Sequence, residues 1–521
     1  MELPVIICMT LVCGIFTILA SYKALNILQL ESYRIRGFFR YLKRFGYDLI
    51  SRYFAYAFFS FTSMLVYVMC LSGREYFNLI GYAFYLIISV VFVYAIAKEK
   101  KKTPLKFTAR IKRLYIPIVL LSFGLAFISL FFTRNTILLY SLCGVLPLFV
   151  IPIVLISAVI VSPIEKAIAK KYLKLCEKKL EDYKTVSVGI TGSYGKTTAK
   201  NILQKMLAQK FSVLASPKSF NTPMGLARTV NDDLEPNQIF VAEMGARYVG
   251  DVAELVDIIK PDYGVITSIG AQHLESFGSI DKVIQTKFEM AKVNKMLFLN
   301  GDDENIAKNA DKFVAKDTVL SGANGGLVTY KDVSCCAEGV KFTLVMPDGE
   351  FEVNSKLLGE YVPSMVALCA SVAHEMGVES ALIAKAVGEL EPVPHRLQLI
   401  KNDKAIVIDD AYNANPKGAE VALRALEKFD GTKIIITPGL VELGKLQEEY
   451  NEILGSKIAK VCDYALVVGV NSKALLKGIK KENTACKAQK FDFLSQAMAH
   501  YATLNIENPV VLFENDLPDN L

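Results

Sequence analysis

A glycine-rich loop at residues 189–198 carries the residue types that bind a phosphate group. It reads Gly-Ile-Thr-Gly-Ser-Tyr-Gly-Lys-Thr-Thr, after an apolar segment that predicts a buried strand and before a pattern that predicts a helix over 198–209. In such a loop the glycines let backbone N–H groups approach phosphate oxygens, while the lysine adds positive charge and the first threonine offers a magnesium ligand. The sequence therefore predicts an ATP-phosphate site. Its predicted members are Gly192, Ser193, Tyr194, Gly195, Lys196, Thr197 and Thr198.

Three side chains further along the chain could complete a magnesium-dependent site. Glu243 ends a predicted strand, His273 follows the next strand, and Lys287 lies on the helix after that. Taken singly, each has a structural explanation: a helix cap or ion pair, a satisfied core histidine, and a solvated helix face. Because ligands bind at the carboxyl ends of parallel strands, two strand ends that converge on one phosphate loop favour a functional role for Glu243 and His273.

Alternating strands and helices must position these residues. From residue 185 onward the alternation predicts a parallel sheet with helices on both faces, and residues 318–357 predict hairpins on the edge of that sheet. After residue 392 a second, smaller α/β unit begins. The predicted fold class is an α-helical membrane domain, then an α/β P-loop domain with a central parallel sheet, then a smaller Rossmann-like α/β domain. The predicted domain bounds are 1–165, 180–393 and 394–521.

The first third of the chain is apolar enough to predict a membrane domain. It contains five apolar stretches, each close to the ~20 residues that a helix needs to cross a bilayer. The predicted spans are 3–20, 53–72, 77–97, 114–132 and 137–161. Glu2 is the only early charge and no basic segment precedes the first span, which favours an uncleaved anchor over a signal peptide. The segment 31–52 could instead be an interfacial amphipathic helix.

The charges of this region predict its orientation. Residues 1–165 carry 17 Lys and Arg against 6 Asp and Glu, and most of the basic residues lie in two loops. The positive-inside rule then predicts an outside N-terminus, a multi-pass protein of the cytoplasmic (inner) membrane, and catalytic domains in the cytoplasm. The basic excess belongs to the membrane region, so it does not indicate nucleic-acid binding. No obligate protein partner is indicated, and the cysteines show no metal-like spacing.

The motifs resemble those of the Mur ligases over about residues 185–515, and most closely the MurF type. The resemblance rests on residues 191–198, Glu243-Met-Gly-Ala, His273-Leu-Glu, Lys287-x-Glu and Asp409-Asp-Ala-Tyr-Asn-Ala-Asn-Pro, with Val441-Glu-Leu-Gly as a later signature. It implies an ATP-dependent peptide ligase. In this family ATP phosphorylates a substrate carboxylate, and an incoming amine attacks the acyl phosphate to give an amide. The implied substrates are a cell-wall precursor and an amino acid or a D-Ala-D-Ala-like dipeptide, met beside membrane lipid.

The resemblance also implies roles for the four candidate catalytic residues. Lys196 would neutralise the transferring phosphoryl group, and Thr197 with Glu243 would hold one Mg²⁺. His273 and a carbamylated Lys287 would help to hold a second Mg²⁺.

Four residues of the last domain gain implied roles as well. Arg396 would reach ATP, Asp410 would contact the nucleotide, and Asn413 and Asn415 would lie near the incoming amine. For the two asparagines the alternative is turn chemistry around Pro416.

Three departures from the family pattern leave other functions open. Membrane spans replace the usual uridine-nucleotide domain, which suggests a lipid-linked acid substrate or one met at the membrane face. Tyr361 and Val362 stand where a histidine and an asparagine usually lie near the adenine, and residues 437–441 differ beside the acceptor pocket. The alternatives are a ligase for a carboxylate outside peptidoglycan and a degenerate, membrane-held ATP-binding regulatory protein. A transporter is disfavoured because no span carries a convincing central charge.

Overall fold

The computed structural model describes residues 2–70, 76–98, 103–132, 145–217, 220–313, 317–401 and 405–516. The chain divides into two compact units, with the boundary between Lys170 and Lys171.

Long helices form the first unit, as the continuous apolar stretches predict. The helices are α1 (Glu2–Leu30), α2 (Ile35–Cys70), α3 (Tyr76–Lys98), α4 (Ala109–Phe132) and α5 (Val150–Asp182), whose last turns belong to the second unit. Within the described ranges, two helical segments are long and apolar enough to cross a membrane, Leu11–Leu30 and Val150–Asp182. This is fewer than the five spans that the sequence predicts, so the structure supports a helical N-terminal unit and does not establish a multi-pass membrane domain.

Two helices of this unit extend beyond the predicted spans. Most of the segment 31–52 belongs to α2, which runs without a break from Ile35 into the second apolar stretch. The last helix continues past the predicted span to Asp182, so the lysines after Glu165 extend the helix. The predicted fifth span begins at residue 137, and residues 133–144 lie outside the described part of the chain.

A six-stranded parallel sheet forms the core of the central domain, in the order β2-β3-β1-β4-β5-β6. Its strands read as short apolar runs because helices cover both faces. The strands are β1 (Ser187–Thr191), β2 (Ser212–Ala215), β3 (Gln238–Glu243), β4 (Tyr263–Ile266), β5 (Met296–Asn300) and β6 (Thr318–Ser321). The helices are α6 (Lys196–Leu207), α7 (Pro223–Asp233), α8 (Asp251–Ile259), α9 (Leu274–Phe277), α10 (Ile280–Phe288), α11 (Glu304–Phe313), α12 (Val362–Glu375) and α13 (Ser380–Gly388).

The predicted hairpins form a sheet of their own. Strands β7 (Thr329–Cys336), β8 (Gly339–Met346) and β9 (Gly349–Ser355) pair antiparallel, and they do not extend the edge of the parallel sheet. Their buried face shares a hydrophobic core with α6 and α12, through residues such as Phe342, Leu344 and Val366. The three strands take this position because their apolar face is buried against α6 and α12. The alternation of residues along the strands does not predict which helices they pack against.

The C-terminal domain is a second six-stranded sheet, in the order β10-β11-β15-β12-β13-β14. All of its strands are parallel except β10, which pairs antiparallel with β11. The strands are β10 (Gln398–Lys401), β11 (Ile406–Asp410), β12 (Thr432–Thr437), β13 (Tyr464–Val468), β14 (Lys487–Phe491) and β15 (Pro509–Glu514). The helices are α14 (Pro416–Glu427), α15 (Gln447–Val461), α16 (Ser472–Lys481) and α17 (Leu494–Thr503). The α/β architecture of both domains is therefore as the sequence predicts.

Candidate active site

The glycine loop joins the end of β1 to the start of α6. A Cβ on Gly192 would lie 2.0 Å from Thr267 Oγ1, and Gly195 has φ +78° with Met365 Cε 2.5 Å from its missing Cβ. Only glycine therefore fits these two positions. Within the described structure no side chain caps α6 at Gly195. The N–H groups of its first turn thus remain for a phosphate, with the helix dipole in the favourable direction.

Lys196 folds back over the loop. Its Nζ donates to the carbonyl oxygens of Gly192 at 2.6 Å and Ser193 at 3.2 Å. Burial lowers the pKa of Lys196 to about 8. The negative charge of Glu243 opposes this shift, and the positive charge of Arg396 adds to it. A bound phosphate would offset the burial cost with negative charge, so the site favours an anionic ligand.

Glu243 lies buried at the carboxyl end of β3, beside the loop. Thr197 Oγ1 donates to its Oε2 at 3.0 Å, and Asn221 Nδ2 donates to its Oε1 at 3.2 Å. Lys200 Nζ lies 3.4 Å from Oε2 and donates to Ser216 O at 2.7 Å. Both Lys200 and Glu243 are 3% exposed, so the ion pair and hydrogen bonds fix the carboxylate next to the Thr197 hydroxyl.

His273 connects the central and C-terminal domains. It stands at the start of α9 with φ +52°, and its Nδ1 forms a short hydrogen bond with Glu442 Oε2. The backbone N–H of Glu275 donates to Glu442 O at 3.0 Å, and Arg247 Nη1 lies 3.5 Å from Glu442 Oε1. Burial lowers the pKa of His273 against the opposing effect of Glu442, and Lys196 adds to the lowering. The carboxylate of Glu442 orients the ring through Nδ1, the arrangement usual for a metal-binding histidine that coordinates through its other nitrogen.

Lys287 is buried in α10 and does not lie on a solvated face, since only 2% of it is exposed. Burial holds the pKa of its ammonium well below the usual range, and the positive charge of Lys196 lowers it further. The lowered pKa favours the neutral amine, which is the form that reacts with carbon dioxide. The environment thus suits the carbamylation that the family resemblance implies.

Residues of the C-terminal domain face the same site. Arg396 Nη1 donates to Asn413 O at 3.3 Å, and its guanidinium lies 4.4 Å from the ring centre of Tyr412. Asp410 Oδ1 accepts from Leu397 N at 3.1 Å. Burial raises the pKa of Asp410 to about 6 although Arg396 opposes the shift.

Tyr361 belongs to this group of residues. Burial raises its pKa to about 12, with Asp410 adding to the shift while a hydrogen bond to Thr198 and the charge of Arg396 oppose it. The aromatic side chain that departs from the family pattern therefore lies between the glycine loop and the C-terminal domain.

The two asparagines of the 409–416 motif differ in role. Asn415 is 8% exposed, and its Oδ1 accepts from the N–H groups of Lys417 and Gly418, so it caps α14. This is the structural alternative that the sequence left open, and it removes Asn415 Oδ1 from ready substrate contact. Asn413 uses its backbone carbonyl to hold Arg396.

The residues around the loop suit one Mg²⁺. Thr197 offers a hydroxyl and Glu243 a carboxylate oxygen 3.0 Å apart, and magnesium typically takes one or two protein oxygens together with phosphate and water. The described residues contain no group of three or more His, Cys, Asp and Glu side chains suited to a metal. A second ion would therefore depend on His273, a modified Lys287 and substrate oxygens.

Several residues that shape the site were missed by sequence reasoning. Lys200 lies one helical turn after Lys196 on α6, a spacing that could have indicated it, whereas Asn221 gives no local signal. Glu442 was noted within a motif but without a role. Glu514 is a strand-end acid like Glu243, and that common position could have marked it.

Comparison with known proteins identifies the two α/β domains. Residues 190–373 match the Mur ligase middle domain, and residues 395–513 match the Mur ligase glutamate ligase domain. The UDP-N-acetylmuramoyl-tripeptide–D-alanyl-D-alanine ligase of Bacillus subtilis is 30% identical over 354 residues, which cover 66% of this chain and 75% of that protein. The Mycobacterium tuberculosis protein of the same name is 36% identical over 245 residues, 46% of this chain and 48% of that protein.

Solved structures agree with this assignment. MurF ligase from Thermotoga maritima in complex with ADP is 28% identical with a TM-score of 0.59, and the match covers 67% of this chain and 80% of that one. MurF from Acinetobacter baumannii has a TM-score of 0.63 at 23% identity, over 67% of this chain and 77% of that one, and supports the fold. The N-terminal helices lie outside both matched domains and are not a typical uridine-nucleotide domain. With a glycine loop, a strand-end glutamate and a domain-bridging histidine arranged as described, the chain belongs to the Mur ligase family, as an ATP-dependent ligase of the MurF type.

Proposed function

We propose that the protein joins an amino acid or a D-Ala-D-Ala-like dipeptide to the carboxylate of a cell-wall precursor, by way of an acyl phosphate. The observation that carries this proposal is the convergence of Lys196, Glu243, His273 and Lys287 on one loop that also faces Arg396 and Asp410.

The side chains divide the work of the reaction. Lys196 and the first turn of α6 bind the transferring phosphoryl group, whose negative charge they stabilise. Thr197 and Glu243 would hold Mg²⁺, which neutralises phosphate charge when bound. His273 and a carbamylated Lys287 would hold a second ion near the substrate carboxylate, and Arg396 and Asp410 would bind the nucleotide from the C-terminal domain.

A coupled assay with full-length protein tests this function. ATP and Mg²⁺ are supplied with UDP-N-acetylmuramoyl tripeptide and D-Ala-D-Ala, and phosphate release is measured together with the mass of the product. We expect an amide product with one phosphate released per bond, and none from Lys196→Ala. Phosphate release without an amide, across a panel of amine donors, would contradict a ligase and favour the regulatory alternative.

We also propose that residues 1–165 attach the ligase domains, 180–393 and 394–521, to the cytoplasmic face of a membrane. Support comes from the two helical segments of membrane-spanning length and from large apolar side chains exposed on other helices of the unit. Examples are Phe58 and Phe59 on α2, Ile87 and Val91 on α3, and Leu120 on α4. The charge of this region supports the orientation, because Arg and Lys favour the cytoplasmic side.

Fractionation and reporter fusions test the attachment. We expect the protein in the membrane fraction after a high-salt and carbonate wash, and fusions after residue 182 on the cytoplasmic side. Release by salt alone would contradict membrane spans.

The helical N-terminal unit suggests that the acid substrate is held differently from that of typical relatives. We propose a lipid-linked precursor or one met at the membrane face. Parallel assays with the UDP-linked and the lipid-linked tripeptide, at equal concentration, would decide. A kcat/KM at least as high for the UDP-linked substrate would contradict the lipid-linked form.

A further inference from the structure

Glu514 is a buried carboxyl group that no N–H or hydroxyl donor of the described chain reaches. It is the last residue of β15, its exposure is 0%, and neither of its side-chain oxygens accepts a hydrogen bond from a donor group among the described residues. The adjacent Asn515 fixes the strand end, because its Oδ1 accepts from Ala414 N at 2.9 Å and its Nδ2 donates to Gly439 O at 2.6 Å. Glu514 is thus held in place while its own oxygens lack a donor.

Asp410 stands directly beside it. The two residues are register partners at the carboxyl ends of the parallel strands β11 and β15, so their side chains leave the sheet on the same face. One oxygen of Asp410 is taken by Leu397 N, which leaves the other to accept a proton. Arg396 acts electrostatically on both carboxyl groups.

The charges of this cluster balance only if one proton is held between the carboxyls. Arg396 offsets one negative charge, while Asp410 and Glu514 would supply two. Asp409, whose oxygens contact His395 Nδ1 at 2.8 Å and Ala411 N, lies next to Asp410 and also raises the pKa of that carboxyl, which favours a held proton as well. A buried carboxylate without donors is costly, and two adjacent carboxylates rarely ionise together. Burial and the neighbouring Asp410 both raise the pKa of Glu514.

We propose that Glu514 is a positioning residue that stays protonated and donates its proton to Asp410, holding that carboxylate in place to accept hydrogen bonds from the bound nucleotide. The neutral form of Glu514 also keeps an additional negative charge away from the triphosphate. This inference rests on the proposed role of Asp410 in nucleotide binding, and it adds Glu514 as the residue that holds Asp410 in place.

ADP binding calorimetry at pH 7.5 and infrared spectroscopy test the proposal on the full-length protein. The proteins compared are wild type, Glu514→Gln, Glu514→Ala and Asp410→Asn. Glu507→Gln, an exposed residue just before the start of β15, is the matched control. We expect wild type to show the carbonyl stretch of a protonated carboxyl that Glu514→Gln lacks. Because glutamine is neutral and donates an N–H, Glu514→Gln should bind ADP within about threefold of wild type, whereas Glu514→Ala should bind at least tenfold more weakly.

The opposite results would overturn the proposal. If the protonated-carboxyl band is missing from wild type, or if Glu514→Gln binds as weakly as Glu514→Ala, Glu514 acts as an anion. If Glu514→Ala binds ADP as tightly as wild type, Glu514 does not position Asp410. If wild type shows the protonated-carboxyl band but Asp410→Asn binds ADP as tightly as wild type, the carboxyl pair exists and the proposed role of Asp410 in nucleotide binding is wrong. Because ADP binding needs neither the acid nor the amine, none of these readouts depends on the ligase substrates.

Discussion

Burial shifts the pKa values of several charged groups in the active site, and Lys196 is the clearest case. Its pKa is lowered to about 8 by burial in the nucleotide-free protein, and a bound phosphate would raise it again. Nucleotide binding should therefore take up a proton, with uptake of about half a proton at pH 8.

Calorimetry of ADP binding in two buffers of different ionisation enthalpy measures this uptake. Lys196→Met should bind more weakly and without the lysine-linked uptake. Lys205→Met, on the same helix but partly exposed and paired with Glu389, should behave as wild type. Equal uptake in wild type and Lys196→Met would show that the proton goes elsewhere.

Lys287 should need carbon dioxide to function. Removal of its amine in Lys287→Ala should abolish amide formation because no carbamate can form, and short carboxylic acids should partly restore the rate by filling the vacated space. The matched control is Lys292→Ala, which changes an exposed lysine in the turn after the same helix. Full activity of Lys287→Ala in bicarbonate-free buffer would contradict the role.

At the scale of elements, the cap of α14 decides between two interpretations of Asn415. Asn415→Ala removes the acceptor for two backbone N–H groups and should lower the free energy of unfolding by about 1 kcal/mol. Asn415→Asp keeps the acceptor and should restore both stability and activity. If Asn415→Asp restored stability but not the KM for the amine, Asn415 would contact substrate as the resemblance implies.

Elements could be predicted where the sequence pattern is local, and not where distant packing decides. The strand before Gly192 and the helix after Lys196 follow from apolar runs and glycine spacing, and both form as predicted. The separate sheet of β7, β8 and β9 depends on packing against α12, and this long-range contact cannot be predicted from the local sequence pattern. Among site residues, Glu243 could be found from its strand end, whereas the His273–Glu442 bond joins residues 169 positions apart. In the N-terminal unit, hydropathy identifies the apolar parts of the helices but not their full length, because charged residues continue α2 and α5 beyond the apolar stretches.

At the scale of the whole molecule, the buried Glu514 should make stability depend on pH. Its folded pKa lies above the usual value, so the folded state keeps a proton that the unfolded chain has lost. Stability should then fall as pH rises from the unfolded pKa toward the folded one, by up to about 1.4 kcal/mol per pH unit. Glu514→Gln removes this loss, so the difference in melting temperature between variant and wild type should widen over the pH range above the usual glutamic acid pKa of about 4.3. A constant difference over that range would show that Glu514 is ionised in the folded protein.

The bond between His273 and Glu442 also bears on how the enzyme avoids wasting ATP. The histidine belongs to the central domain, and the carboxylate that orients its ring belongs to the C-terminal domain. Were the C-terminal domain to swing away, the imidazole would lose its orientation, and the proposed nucleotide contacts of Arg396 and Asp410 would be lost with it. Idle ATP breakdown would then be suppressed by geometry alone, because the proposed catalytic centre would be complete only while the two domains are docked.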